Sequence, residues 1–476
     1  MSTQGRRPGA RRRPGPGVVV SAAALVAATL FAAAPAAPAA ATPVLSVSVQ
    51  GNTLVDGSGA HIRLLGVNRS GAEFACAQGW GIFDGPTDTA SIAAMKSWHI
   101  NTVRVPLNED CWLGINGVNP AYGGANYRSA IGSYVTSLHN AGLLVILDLH
   151  WNAPGATLAT GQQVMTDADH SPAFWTSVAT YFKTDPAVVF DLYNEPHDIF
   201  WPCWRDGCTT SGGWLAAGMQ SLVSAVRSTG ATQPVLLGGL GWSSDLSQWL
   251  TYKPTDPVNQ TAASFHVYNF SGCSTSACWT SQVGPVAASV PVVTGEIGES
   301  DCATGFIAAY MAWADANGVS YLGWTWNTWD CSSGPALISA YDGTPTAFGV
   351  GVRTHFAALA EPDPADFDGN GTTDLAVFRP STNTWFVRGG ATVAFGASGD
   401  IPVPGDYDGD GIVDAAVFRP STGTWLIKGG ATIAWGSSGD IPVPGDYDGN
   451  GTTDVAVFRP STNTWFVRGG ATVAFG

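Results

Sequence analysis

Val188-Val189-Phe190-Asp191-Leu192-Tyr193-Asn194-Glu195-Pro196 is a β-branched and aromatic run that stops at two polar side chains and a proline. Such a short apolar run bounded by a breaker reads as a buried strand. Pro196 has no N–H to give a ladder, so it ends the strand and leaves Glu195 on a rim. Working outward, residues 62–68, 101–107, 143–150, 234–242, 262–269, 291–299 and 321–327 are runs of the same kind, each closing on polar or aromatic residues. Longer Ala-rich amphipathic stretches separate them. Strands alternating with crossover helices make a parallel sheet, and eight of them over about 300 residues predict a closed (β/α)8 barrel. In that architecture the chemistry sits at the C-terminal ends of the strands.

Two strand ends carry carboxylates. The fourth run stops at Glu195, and the seventh, Pro291-Val292-Val293-Thr294-Gly295, stops at Glu296-Ile297-Gly298. Ends of strands four and seven face each other across a barrel mouth, where two carboxyls can flank a glycosidic bond. One gives a proton to the leaving oxygen and the other attacks the anomeric carbon. A separation of about 5–5.5 Å predicts retention of configuration. Glu299 is the rival nucleophile, but three residues from Glu296 it falls on the opposite face of a strand.

The chain has 476 residues, 45% hydrophobic and only 12% charged, which excludes a disordered chain. Net charge is −15, from 21 Lys plus Arg and 36 Asp plus Glu. Five of those arginines lie in residues 6–13, so the rest balances 16 against 36, or −20. That surplus repels phosphate backbones and anionic lipid, so neither nucleic acid nor a membrane is an expected partner. The arginines precede an apolar run over 18–34 and the small residues Ala36-Ala37-Pro38-Ala39-Ala40-Ala41, the order of a secretory signal peptide over 1–41. The expected mature protein is therefore extracellular, and a monomer. Eight cysteines in an exported chain argue for disulfides. Cys203 with Cys208 and Cys273 with Cys278 are close enough to staple single loops, and Cys76, Cys111, Cys302 and Cys331 remain without an assigned pairing.

The motifs at the strand ends carry a resemblance. N-T-V-R-V-P at 101–106, D-L-H-W at 148–151, D-L-Y-N-E-P-H at 191–197, F-H-V-Y at 265–268, V-V-T-G-E-I-G at 292–298 and G-W-T-W-N at 323–327 resemble, in order, the motifs of family 5 glycoside hydrolases. The resemblance covers about residues 44–358 and implies a retaining endo-β-glycanase that needs no cofactor for catalysis. It makes Glu195 the general acid/base and Glu296 the nucleophile. Arg104 would hold Glu296 ionised, Tyr268 would donate to it, and His266 would line the pocket near Glu195. Asn194 would hold the 2-hydroxyl of the reacting sugar, His150 would bond neighbouring hydroxyls, and Trp324 would be the platform beneath it, with Trp326 as the other candidate. The expected substrate is a β-1,4-glucan of the cellulose type. β-Mannan, an exo-acting glucosidase, transglycosylation and a non-catalytic carbohydrate-binding protein are the alternatives. Further tryptophans near strand ends, at positions 80, 112, 151, 201, 204, 242, 279 and 329, divide between cleft and core.

A catalytic domain over 42–358 and a linker over 359–365 lead into three units with a 40-residue period, at 366–396, 406–436 and 446–476. Each reads D-[FY]-D-G-[ND]-G-x-x-D followed by A-V-F-R-P-S-T-x-T-W, an all-β pattern that resembles FG-GAP and VCBS-type propeller-blade repeats. In each loop oxygen ligands recur at positions 1, 3, 5 and 9: Asp366, Asp368, Asn370 and Asp374; Asp406, Asp408, Asp410 and Asp414; Asp446, Asp448, Asn450 and Asp454. Alternate oxygens around a glycine turn suit Ca2+ in a structural role, with Asx-turns that cap hairpins as the competing reading. Trp385, Trp425 and Trp465 recur once per unit, as a repeated core residue or a sugar platform.

Overall fold

The computed structural model describes residues 45–360 apart from Ser333, and 365–368, 373–390, 392–409, 412–447, 452–470 and 472–475. The signal peptide expected over 1–41 lies outside the described residues. Eight strands form a closed parallel barrel: β1 (Leu65–Asn68), β2 (Thr102–Asn108), β3 (Leu144–Trp151), β4 (Val188–Asp191), β5 (Val235–Gly238), β6 (Thr261–Tyr268), β7 (Val292–Gly298) and β8 (Ser320–Gly323). Each falls within or against one of the eight predicted runs. The largest differences have local causes. Ile62, expected in β1, instead belongs with His61 to a strand that pairs antiparallel with Thr53–Val55 in a small three-stranded sheet. The run 234–242 gives up its strand at Gly238 because Gly241 and Trp242 take left-handed backbone angles.

The barrel interior changes character along its axis. Side chains two residues apart point the same way. Leu144, Ile146, Val189, Leu236, Ala262, Val293 and Leu322 fill one end, and Leu54 of the small sheet and Val47 join that cluster. One pleat further up the same faces carry Arg104, Asp148, Asp191 and Ser264, and the next carries His150 and His266. All six are buried. An aliphatic floor therefore supports a charged layer, and the charged layer supports the mouth.

All eight cysteines are paired: Cys203 with Cys208, Cys273 with Cys278, Cys76 with Cys111 and Cys302 with Cys331. The first two close single loops, as their spacing suggested. The others join loops on neighbouring strand ends.

Beyond the barrel, the chain forms small antiparallel sheets. Ile401–Pro402, Ala416–Arg419, Thr424–Ile427 and Thr432–Ala434 make one four-stranded sheet, and Ile441–Pro442, Ala456–Arg459, Thr464–Val467 and Thr472–Ala474 repeat it. Ala376–Arg379, Thr384–Val387 and Thr392–Ala394 make a three-stranded version among the described residues. Trp385 and Trp425 are buried and Trp465 is half-buried, so the once-per-unit tryptophan is a packing residue.

Candidate active site

The eight barrel residues singled out in the sequence lie at one mouth. Glu195 follows β4, and its Oε1 is 3.1 Å from Nδ1 of His266 on β6. The same nitrogen is 3.7 Å from Oε2 of Glu296 on β7. The two carboxylates thus flank one imidazole, with an oxygen of each within 4.8 Å of the other.

Glu296 reaches this place through a bulge. Phe265 pairs with Thr294, and the next pair is His266 with Glu296, so Gly295 is an extra residue on β7. Strict alternation from inward Val293 would turn Gly295 in and Glu296 out, and the inserted residue reverses this. The Gly295 carbonyl accepts from Asn68 Nδ2 at 2.8 Å, which holds the bulge. A Cβ on Gly295 would stand 2.8 Å from His266 Nε2, so glycine is what fits beside that ring. Glu299 goes elsewhere: it is buried, and its Oε1 accepts from the Ile307 amide at 2.7 Å in the first turn of the helix Gly305–Ala316.

Arg104 on β2 is the hub of the charged layer. Its Nη1 donates to Glu296 Oε1 and to Asn68 Oδ1, both at 2.9 Å. Nε donates to Asp191 Oδ2 at 3.0 Å, and Nη2 donates to Asn194 Oδ1 at 2.8 Å and faces Asp148 Oδ2 at 3.1 Å. Tyr268 donates its hydroxyl to the other oxygen of Glu296 at 2.6 Å. Both oxygens of Glu296 are therefore fixed in direction. Three carboxylates share one guanidinium, and burial pushes Asp148 up to about 7 against the pull of Arg104.

Burial also pushes the Glu195 carboxyl up to about 7, although His150, Arg104 and a bond from Gln162 pull it down. Burial pulls His150 down to about 4 and His266 down to about 3, so both rings are neutral at pH 7. His150 Nδ1 bonds Asp148 Oδ2 at 2.6 Å, and Nε2 lies 3.5 Å from Asn194 Nδ2. The His150 ring stacks on Trp324, with centroids 5.4 Å apart and planes 8° apart. Trp324 lines the cleft, whereas Trp326 is fully buried with its ring edge against Trp98.

The cleft above these residues has a volume of about 590 Å³. Gln162, Trp242 and Phe270 also line it, and the sequence motifs did not select them. Gln162 donates to the Glu195 carbonyl at 3.0 Å and accepts from Asn194. Trp242, with φ of 62°, stacks on His197. Trp242 was one tryptophan among several near strand ends, and nothing local marked its conformation. Of the others, Trp112, Trp201, Trp204 and Trp279 are core, while Trp80 and Trp329 are exposed and share an aromatic cluster with Phe74 and Trp151.

In the repeats, a carboxylate oxygen from each of Asp366, Asp368 and Asp374 lies within 4.8 Å of the other two, and Asp406, Asp408 and Asp414 match them. Asp374, Asp414 and Asp454 also accept the amides of Phe367, Tyr407 and Tyr447 at 2.8, 3.0 and 2.9 Å. Asp446 opens the third loop beside Tyr447. Asn370, Asp410, Asp448 and Asn450 lie outside the described residues.

Residues 55–330 match the family model for cellulase, glycosyl hydrolase family 5. The manganese dependent endoglucanase Eg5A of Phanerodontia chrysosporium is 31% identical over 47% of this chain and 56% of its own length. A mannan endo-1,4-beta-mannosidase of Streptomyces lividans is 26% identical over 62% of this chain and 69% of its own. The chain spans about half the length of the first curated relatives it matches. The beta-glucanase SdGluc5_26A of Saccharophagus degradans, solved with cellotetraose, shares the fold with a TM-score of 0.51 at 20% identity, over 67% of this chain and 94% of that one. With more than half of its length under one family model, the chain belongs to glycosyl hydrolase family 5, the cellulase family.

Proposed function

We propose that this protein is a secreted endo-β-1,4-glucanase that works by double displacement with retention. The observation that carries the reading is the Glu195–His266–Glu296 arrangement, two carboxylates against one imidazole with opposite surroundings. Glu195, kept protonated to about pH 7, gives its proton to the glycosidic oxygen while Glu296 Oε2 or Oε1 attacks the anomeric carbon. The C–O bond to the leaving sugar breaks and a glycosyl ester forms on Glu296. Glu195, now a carboxylate, takes a proton from water, and the hydroxide equivalent displaces Glu296. An oxygen of each carboxylate lies within 4.8 Å of the other, close to the short separation of retaining enzymes rather than the wide one of inverting enzymes, which supports retention. His266, neutral, relays neither proton away and holds Glu195 in line. Asn194, held by Arg104 and Gln162 beside Glu195, is assigned to the 2-hydroxyl of the reacting sugar, and Trp324 offers an apolar face to the sugar ring.

Domain limits of 42–358 and 366–476 go with this reading, as does export after cleavage near residue 41. The four-stranded sheets support FG-GAP or VCBS-type blades for the repeats. Their oxygen-only loops fit a hard cation such as Ca2+, held by Asp366, Asp368 and Asp374 and by the equivalents in the next units, where it would neutralise clustered carboxylates. β-Mannan is kept as a second substrate because the mannosidase relative covers the larger share of this chain.

The test is reducing-sugar release from β-1,4-glucan, β-mannan, xylan and β-1,3-glucan by wild type and Glu296→Ala. Release from glucan that disappears in the variant is expected. Release from mannan alone replaces the substrate and keeps the mechanism, and release that survives Glu296→Ala refutes the nucleophile.

A further inference from the structure

Away from the cleft floor, Glu109, Asp167 and His170 form a second polar cluster. Glu109 opens the helix Glu109–Leu113 directly after β2, and Asp167 precedes the helix Ser171–Phe182; both are fully buried. His170 stands at the start of that second helix with 23% of its side chain exposed. Ser171 Oγ lies within hydrogen-bonding reach of Glu109 Oε2 and Asp167 Oδ2, and Asn152 Nδ2 donates to the latter at 2.9 Å. Glu109 Oε1 and His170 Nδ1 have no hydrogen-bond partner among the described residues. They face one another and Asp167 Oδ1: Nδ1 is 3.8 Å from each of the two oxygens, too far for a hydrogen bond. One ligand atom from each of the three residues lies within 4.8 Å of the others, the spread of ligands around a single ion.

A buried carboxylate oxygen with no donor is costly, and here no Lys or Arg among the described residues pairs with Glu109 or Asp167. Their charged neighbours, Asp110 and Asp169, add negative charge. Burial holds the Glu109 carboxyl well above the ordinary carboxylate range, so either a bound cation or a proton shared with Asp167 balances the pair. We propose that Glu109 Oε1, Asp167 Oδ1 and His170 Nδ1 bind a divalent transition cation of the Mn2+ or Zn2+ type. The ring nitrogen disfavours Ca2+ and Mg2+, and the exposed side of His170 gives a way in. The His170 amide donates to Asp167 Oδ1 at 2.8 Å and sets its direction. From Asp167 a chain of bonds runs through Asn152 to the Tyr193 hydroxyl and the Gln163 backbone. The ion would therefore brace the loop that presents Gln162 to the cleft, independently of which glycan the cleft accepts.

The full chain is stripped with a chelator and titrated with Mn2+, followed by electron paramagnetic resonance, and with Zn2+, followed by calorimetry, beside His170→Ala and Glu109→Gln. The aspartate loops of the repeats contain no nitrogen ligand and respond alike in all three proteins, so the difference is the signature. Wild type is expected to take up one equivalent more than His170→Ala, with nitrogen coupling on the bound Mn2+. Glu109→Gln should weaken that equivalent at least about tenfold, and saturating Mn2+ should raise the Tm of wild type by a few degrees and not that of His170→Ala. Because His170 is partly exposed, near-UV circular dichroism should show His170→Ala folded, and binding lost from a folded variant is loss of a ligand. Equal uptake by the three proteins overturns the proposal. So does a Glu109→Gln variant that is more stable than wild type both without metal and with it, since Glu109 and Asp167 would then share a proton instead.

Discussion

Glu195 is placed where its charge is unwelcome, and this couples function to stability. Its ordinary value of 4.5 rises to about 7 because burial penalises the anion more than His150 and Arg104 favour it. Between those two values the unfolded chain has released the proton and the folded chain still holds it, so this group makes stability fall as pH rises from about 4.5 to about 7. Above that range the full penalty applies. It amounts to about 3 kcal/mol at most, taken as 1.36 kcal/mol per unit, and less in practice because 17% of the side chain is exposed. Glu195→Gln removes the charge and keeps the shape. We expect kcat on polysaccharide to fall about 10²–10⁴-fold while Tm at pH 8 rises above wild type. We also expect the alkaline limb of the wild-type kcat/KM profile, near pH 7, to be absent from whatever activity remains. A wild-type profile flat to pH 9 would remove Glu195 from the acid role.

At the scale of elements, β7 shows how a one-residue insertion decides which carboxylate faces the cleft. The bulge at Gly295 turns Glu296 toward His266, and Glu299 then points to the helix Gly305–Ala316. Gly295→Ala places a methyl 2.8 Å from His266 Nε2 and 3.3 Å from Ser264 Oγ, so the ring that lies against both glutamates must shift. Activity should fall at least about tenfold in a protein that keeps its far-UV circular dichroism. Glu299→Ala should do the reverse, costing about 1–2 kcal/mol in urea unfolding by orphaning the Ile307 amide, with kcat unchanged. These two variants separate the carboxylates that composition alone leaves alike. The strand ends at Glu195 and Glu296 were legible because a buried parallel strand must be apolar until it reaches the rim. Period two by itself points Glu296 outward, and it is the G-E-I-G motif that singled it out. Asp148 and Asp191 were legible in principle, since an aspartate within an apolar strand needs a partner such as Arg104. Gln162 and Phe270 were not, because they sit on loops whose paths are set by contacts remote in sequence; Trp242 was among the tryptophans left between cleft and core, and its place in the cleft requires a left-handed backbone that only surrounding packing can hold.

At the scale of the molecule, the repeats are bound to one another in series. Val413 N donates to the Asp366 carbonyl at 2.8 Å, and 40 residues on, Thr453 N donates to the Asp406 carbonyl at 2.6 Å. Trp385 packs with Ala415 and Val417 of the following unit, and Phe418 and Trp425 pack with Val455 and Val457 of the one after. Trp435 gives its indole N–H to the Phe466 carbonyl at 3.1 Å. Asp400 and Asp440, in the segments that join the units, pair with Arg419 and Arg459 of the unit that follows, both at 2.9 Å; these ties are partly exposed and worth little by themselves. The apolar contacts between units are buried and worth more, so stability belongs to neighbours rather than to single sheets. Stopping the chain after Gly439 removes the third unit, and with it Val455, Val457 and the acceptor of the Trp435 indole. Phe418 and Trp425 then face water on that side. Backbone amides of Ala416–Arg419 and Thr424–Ile427 should exchange at least about tenfold faster in the shortened chain, which corresponds to about 1.4 kcal/mol of lost local stability. Amides of the barrel strands, whose core shares no cluster with these units, should exchange as before. Unchanged protection in the second unit would mean that each four-stranded sheet holds itself together, and the Asp406 carbonyl bond and the Trp425 cluster would then be consequences of proximity instead of the source of order.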